Sequence, residues 1–149
     1  MDPRPGPTAS STATDGPLTT RECLDFLRSV PVGRLLYTEN ALPAVRPVTF
    51  ACPDGQIVIP TGDNPWFTRF EGTVLAFETG NITASTRSGW SVLAIGRARL
   101  FAGTDGLGGF DDPTRSPWSG SAGDCYLLID IASLSGHRTT LLRPTGDHR

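Results

Sequence analysis

Twelve residues, WSVLAIGRARLF at 90–101, constrain the fold of this chain more than any other stretch. A strand points successive side chains to opposite faces. Here Trp90, Val92, Ala94, Gly96, Ala98 and Leu100 share one face, and Ser91, Leu93, Ile95, Arg97, Arg99 and Phe101 the other. The second face turns from apolar to charged after Gly96. That pattern predicts one long strand with a bend or bulge at the glycine, as at the corner of a barrel.

The rest of the chain supplies shorter strands separated by turn residues. GRLLYT (33–38) and ALPAVRPVTF (41–50) flank Glu39-Asn40-Ala41, and the two prolines of the second suit an edge or bulged strand. Pro53-Asp54-Gly55 is a hairpin turn before QIVIP (56–60). TVLAFET (73–79) precedes a polar loop, GNITASTRSG (80–89). DCYLLIDIASL (124–134) is apolar on both faces, as a central strand would be. Two helices are expected. Thr19 and Glu22 have capping-box spacing ahead of an apolar stripe over 20–29, and 64–71 is a short second helix. Six strands with tight turns and two or three short helices predict a mainly β, antiparallel small barrel. Such a barrel is filled with side chains, so a ligand has to bind outside it, in a groove or between subunits.

The 149 residues suffice for one domain, and 1–17 (MDPRPGPTASSTATDGP) read as a disordered tail before a domain at 18–149 with a short flexible C-terminal end. The net charge is -2 and every one of the 13 cationic residues is arginine. A near-neutral chain without a basic run is a poor fit to nucleic acid or an anionic membrane. Without lysine, Schiff-base chemistry is excluded. Cys23, Cys52 and Cys125 form no CxxC and read as buried reduced thiols. Only His137 and His148 are present, so a three-histidine metal site is excluded and no metal is expected. No signal peptide or membrane span is visible, and the expected location is cytoplasmic.

Two candidate motifs have plain structural readings. GTDGLGG (103–109) lacks the third glycine and the following helix of a dinucleotide fingerprint, and Asp111-Asp112 reads as a solvated turn. TGDNPWFTRF (61–70) is richer. Asn64-Pro65 matches the N-cap and first position of a helix, whose free backbone N–H groups can bind an anion. A capped connecting helix with Trp66, Phe67 and Phe70 packed into the core explains the same residues.

The run VGRLLYTENALPAVRPVTFACPDGQIVIPTG, then GTVLAFETG, then RSGWSVLAIGRARLF resembles the pyridoxamine 5'-phosphate oxidase-like FMN-binding split barrels, with Pro117-Trp118 and SGHR (135–138) following in order. The order and spacing of these segments carry the resemblance, rather than any one motif. It implies a homodimer with FMN in two clefts at the subunit interface. Arg46, Pro47, Val48 and Thr49 would run beside the isoalloxazine. Thr61, Gly62, Asp63, Asn64, Pro65 and Trp66 would hold the ribityl phosphate, helped by Arg69. Trp90 and Ser91 would come from the other subunit, and Trp118 and Arg138 would lie where a C-terminal segment closes the cleft.

The chain departs from that family at the phosphate corner, where Pro65-Trp66 replaces the usual lysine or arginine and Asp63 adds a negative charge. The implied activity is an FMN-dependent oxidoreductase acting on a small molecule, with Arg46 as the best catalytic candidate. A true pyridoxamine 5'-phosphate oxidase, with a second basic phosphate site and a longer C-terminal segment, is not expected. Two alternatives stay open. One is a flavin-free ligand-binding or accessory barrel with a degenerate phosphate site. The other is a redox protein using a deazaflavin or haem.

Overall fold

The computed structural model describes residues 15–102 and 125–144. Its elements are β1 (Gly16–Pro17), α1 (Thr20–Leu27), β2 (Val32–Glu39), β3 (Leu42–Thr49), β4 (Gln56–Pro60), a 3-10 helix (Pro65–Phe70), β5 (Val74–Thr83), β6 (Ser88–Ala102) and β7 (Cys125–Thr140). The sheet is antiparallel throughout, in the order β1-β7-β6-β5-β2-β3, with β4 on the free side of β7. A bridge between Ala51, just past β3, and Val58 of β4 links the β3 edge through β4 back to β7. The result is a mainly β antiparallel structure consistent with a split barrel.

The sheet has seven strands rather than the six expected, because Gly16–Pro17 pairs with Arg138 and His137 of β7. The first strand therefore falls inside the segment read as a tail, at a position with no side-chain pattern to announce it. β5 and β6 also continue further than their apolar cores. Asn81 pairs with Trp90 and Thr83 with Ser88, so the turn occupies only 84–87. Likewise β7 runs past Leu134 to Thr140.

β6 and β7 shift register between Ile95 and Gly96, opposite an extra residue, Ala132, on β7. A Cβ added to Gly96 would collide with the Asp130 carbonyl group, so only glycine allows this approach of the two backbones. The bulge divides β7 into two halves. Tyr126 to Asp130 pairs with both β4 and β6, while the later residues pair with β6 and β1.

Phe50, Phe77, Leu27, Leu35, Ile57, Ile59, Leu127 and Ile129 fill the barrel. The two-sided apolar pattern of β7 has a concrete cause. Leu127 and Ile129 join this core, whereas Tyr126 and Leu128 form a second cluster with Val58 and Phe101. α1 begins with the expected capping box, with Glu22 N–H donating to Thr19 Oγ1 at 3.1 Å and Thr19 N–H to Glu22 Oε1 at 2.8 Å. Its Cys23 and Leu27 pack into the core.

Candidate flavin site

The 61–70 corner forms as a six-residue 3-10 helix capped by Asn64. Its backbone donors are not available to an anion in the way the sequence suggests. Pro65 has no N–H. The Trp66 N–H donates to Asn64 Oδ1 at 3.0 Å, and the Phe67 N–H to the Asn64 carbonyl at 3.4 Å. The Thr61 hydroxyl donates to the Gly62 carbonyl at 3.1 Å. The physical reason is the tight 3-10 geometry, which closes its first bonds three residues apart and needs few outside partners. Thr61, Gly62, Asp63 and Asn64 line a cavity of about 400 Å³ with Leu100, Phe101 and Cys125.

On the flank of the same helix, three predicted residues do meet. The Arg46 guanidinium lies 4.1 Å from the centre of the Trp66 ring, and that of Arg69 lies 5.0 Å from it. Tyr37 and Phe70 meet the Trp66 ring edge-on at 5.3 and 5.0 Å. Such contacts hold an arginine in place while leaving its N–H donors free. Among the described residues no carboxylate forms an ion pair with Arg46, whereas Arg69 reaches Glu39 at 3.3 Å. Tyr37, Glu39 and Arg69 also line a second cavity, of about 550 Å³. Tyr37 and Glu39 are not among the residues that sequence reasoning picks out. Tyr37 sits two residues from buried Leu35 on an alternating strand, a signal that marks its inward face but not its partner.

The remaining predicted residues lie elsewhere. Register divides Arg46–Thr49 between faces: Arg46 and Val48 pair with Leu35 and Gly33 on the inner side, Pro47 and Thr49 with Arg34 and Val32 on the outer. Trp90 stacks on Phe26 of α1 at 4.4 Å, and Arg138 lies 5.3 Å from Phe26 and 3.5 Å from Glu22. Ser91 pairs with Gly80 and His137 on the opposite face from Trp90. Trp118, the 103–109 glycines, Asp111-Asp112 and His148 lie outside the described residues. Burial raises the thiol pKa of Cys23 and Cys52 above the ordinary value, which suits inert core thiols rather than nucleophiles.

One further surface adjoins the site. Val45, Leu36, Ala76 and Ile95 form a single cross-strand row over β3, β2, β5 and β6. They face away from the core, and Val45 and nearby Val32 and Val74 are strongly exposed. The Arg34–Glu78 ion pair, bonded at 2.7 Å, is the neighbouring row, between Pro47 and Leu93. No helix among the described residues is long and apolar enough to cross a membrane.

Comparison with known proteins fits this architecture. A protein of Mycobacterium tuberculosis described as uncharacterized is 28% identical over 123 residues, covering 78% of this chain and 80% of its own. The solved FAD-binding protein of Mycobacterium smegmatis superposes with a TM-score of 0.63 at 21% identity, over 84% of this chain and 98% of that one. A FAD- and haem-binding protein of the same organism gives 0.66 at 15% identity, over 90% and 77%. At these identities the two solved structures share the fold. The profile of the pyridoxamine 5'-phosphate oxidase family matches residues 19–138, most of the chain, and the chain belongs to that family.

Proposed function

We propose that this chain binds a flavin, FMN, in two equivalent clefts between the subunits of a homodimer, and oxidises or reduces a small molecule there. The observation that carries the reading is the edge strand β3. It presents on one face an arginine stacked on an indole with no carboxylate partner among the described residues, and on the other the exposed Val45 at the end of an apolar cross-strand row. A cleft between subunits asks for both, a cation for the flavin phosphate on one face and an apolar row for the subunit contact on the other. Arg46 would hold or orient the anionic part, with Trp66 and Arg69 beside it. Val45 and Pro47 would lie toward the subunit contact. The bound flavin would supply hydride or electron transfer, and the protein placement and electrostatics. The FAD-binding proteins of the same fold make FAD the comparison ligand.

Purified protein should carry the visible absorption of an oxidised flavin or quench FMN fluorescence at micromolar concentration. Arg46→Ala should weaken FMN binding about tenfold or more, the size expected for one charged hydrogen bond. A colourless protein that quenches neither FMN nor FAD would instead support the flavin-free barrel. That second reading is favoured by one observation, the internal use of the Trp66 and Phe67 N–H groups.

A further inference from the structure

β2 and β5 separate before either strand ends. Their pairing stops at Leu36 and Ala76, yet β2 continues to Glu39 and β5 begins at Val74. Here β3 pairs with the far side of β2, and β6 with the far side of β5. Among the described residues no strand lies between 37–39 and 73–75, and no backbone hydrogen bond joins them. Backbone groups of an antiparallel strand point alternately to its two neighbours, so both walls carry donors and acceptors that face the gap. These walls bound the cavity of about 550 Å³. Each wall is held in place separately. Asn40 and Ala41, at φ 54° and 65°, close a two-residue turn behind Glu39. On the other side Gly72 N–H donates to the Ala98 carbonyl at 2.8 Å, and Thr73 Oγ1 to that of Phe70 at 2.8 Å. Buried Phe70 and Leu75 line the cavity with Tyr37, whose ring meets that of Phe70 edge-on at 5.3 Å. Glu39 and Arg69, paired at 3.3 Å, complete it.

We propose that this wedge between β2 and β5 binds an apolar α-amino acid, with its ammonium on Glu39, its carboxylate on Arg69 and its side chain against Tyr37, Phe70 and Leu75. The argument is charge complementarity. Glu39 and Arg69 set opposite charges side by side on one cavity. A ligand with a single charge would match one of them and leave the other without its partner. A zwitterion answers both and keeps the site neutral. Their own pair is open to solvent, with the Arg69 and Glu39 side chains 42% and 44% exposed, so it exchanges at little cost. The open strand edges suit the same ligand. Free carbonyls can accept from an ammonium, which only donates, and free N–H groups can donate to a carboxylate, which only accepts. A concave site of this size with an apolar floor and a few polar groups is typical for a small molecule. The wedge is independent of the flavin reading.

Calorimetric titration of the full chain with L-leucine, N-acetyl-leucine and leucinamide tests this, since the last two lack the ammonium charge and the carboxylate in turn. L-Leucine should bind with a Kd below about 1 mM, and each blocked form about three- to tenfold more weakly. Glu39→Gln should abolish the preference for L-leucine over N-acetyl-leucine, and Arg69→Gln the preference over leucinamide. Both side chains are exposed, so neither change disturbs the core. Amide hydrogen exchange within 37–39 and 73–75 should slow when L-leucine binds. No heat at about 10 mM L-leucine, equal affinity for the three compounds, a preference that survives in both variants, or exchange left unchanged in both segments overturns the proposal. FMN binding is read separately by flavin fluorescence, so failure of either reading leaves the other standing.

Discussion

At the scale of single residues, the chain states its backbone needs more openly than its contacts. Gly96 interrupts an alternating strand, and a bulge lies there. Asn64-Pro65 announces a cap, and Asn64 caps. Each depends on one residue and its neighbours in sequence. The contact of Arg46 with Trp66 depends on how β3 is paired with β2 and where the 3-10 helix sits against it, so nothing local to either residue reveals it. Gly96 also yields a sharp stability prediction. A Cβ there meets backbone, not a side chain that can rotate away. Gly96→Ala should cost about 1–3 kcal/mol in urea unfolding, as a strained overpacked site does. A loss below about 0.5 kcal/mol, the level of an ordinary surface change, would show that β6 and β7 part there with little resistance.

At the scale of elements, apolar alternation locates the middle of each strand and misses its ends. β5 and β6 extend through Asn81, Thr83 and Ser88, whose polar side chains carry no pattern but whose backbones are paired. Hydrogen-bonded pairing needs no hydrophobic face, so composition reads such ends as loop. The junction of β4, β6 and β7 is tied by a polar network of the same hidden kind. Asp130 accepts from Arg99 Nε at 2.8 Å and from Gln56 Nε2 at 2.8 Å. The hydrogen bond from Arg99, then that from Gln56, holds the Asp130 carboxyl below the usual carboxylate range. A depressed folded pKa means that this stabilisation is present above the unfolded value, about 3.9, and fades as pH falls through the folded one. Asp130→Asn should therefore flatten the loss of stability below about pH 4. Because Arg99 and Asp130 are both 46% exposed, the difference should stay under about 1 kcal/mol. Parallel acid-denaturation curves for the two proteins would show instead that the network is not linked to folding.

At the scale of the whole molecule, the outer face of the sheet carries an apolar row that is partly exposed among the described residues. The row Val45–Leu36–Ala76–Ile95 crosses four strands and points away from a core that is already full. Apolar surface of that continuity marks an interaction site. In the proposed dimer it is the subunit contact. Light scattering should give twice the chain mass for the wild type and a folded monomer for Val45→Glu, since Val45 is 58% exposed and a charge there harms no core. A wild-type monomer would overturn the dimer, and a Val45→Glu dimer would move the contact elsewhere. By itself the sequence determined the strand class, the bulge at Gly96, both helix caps and the family, because these rest on periodicity, on residues close in the chain and on the order of segments. The tertiary structure decided which predicted residues could act together. It joined Arg46 and Arg69 through Trp66, sent Trp90 and Arg138 to Phe26, and left the Trp66 and Phe67 N–H groups with internal partners. Those outcomes depend on strand register and on the closing of the barrel, which bring together side chains that local sequence patterns treat as unrelated.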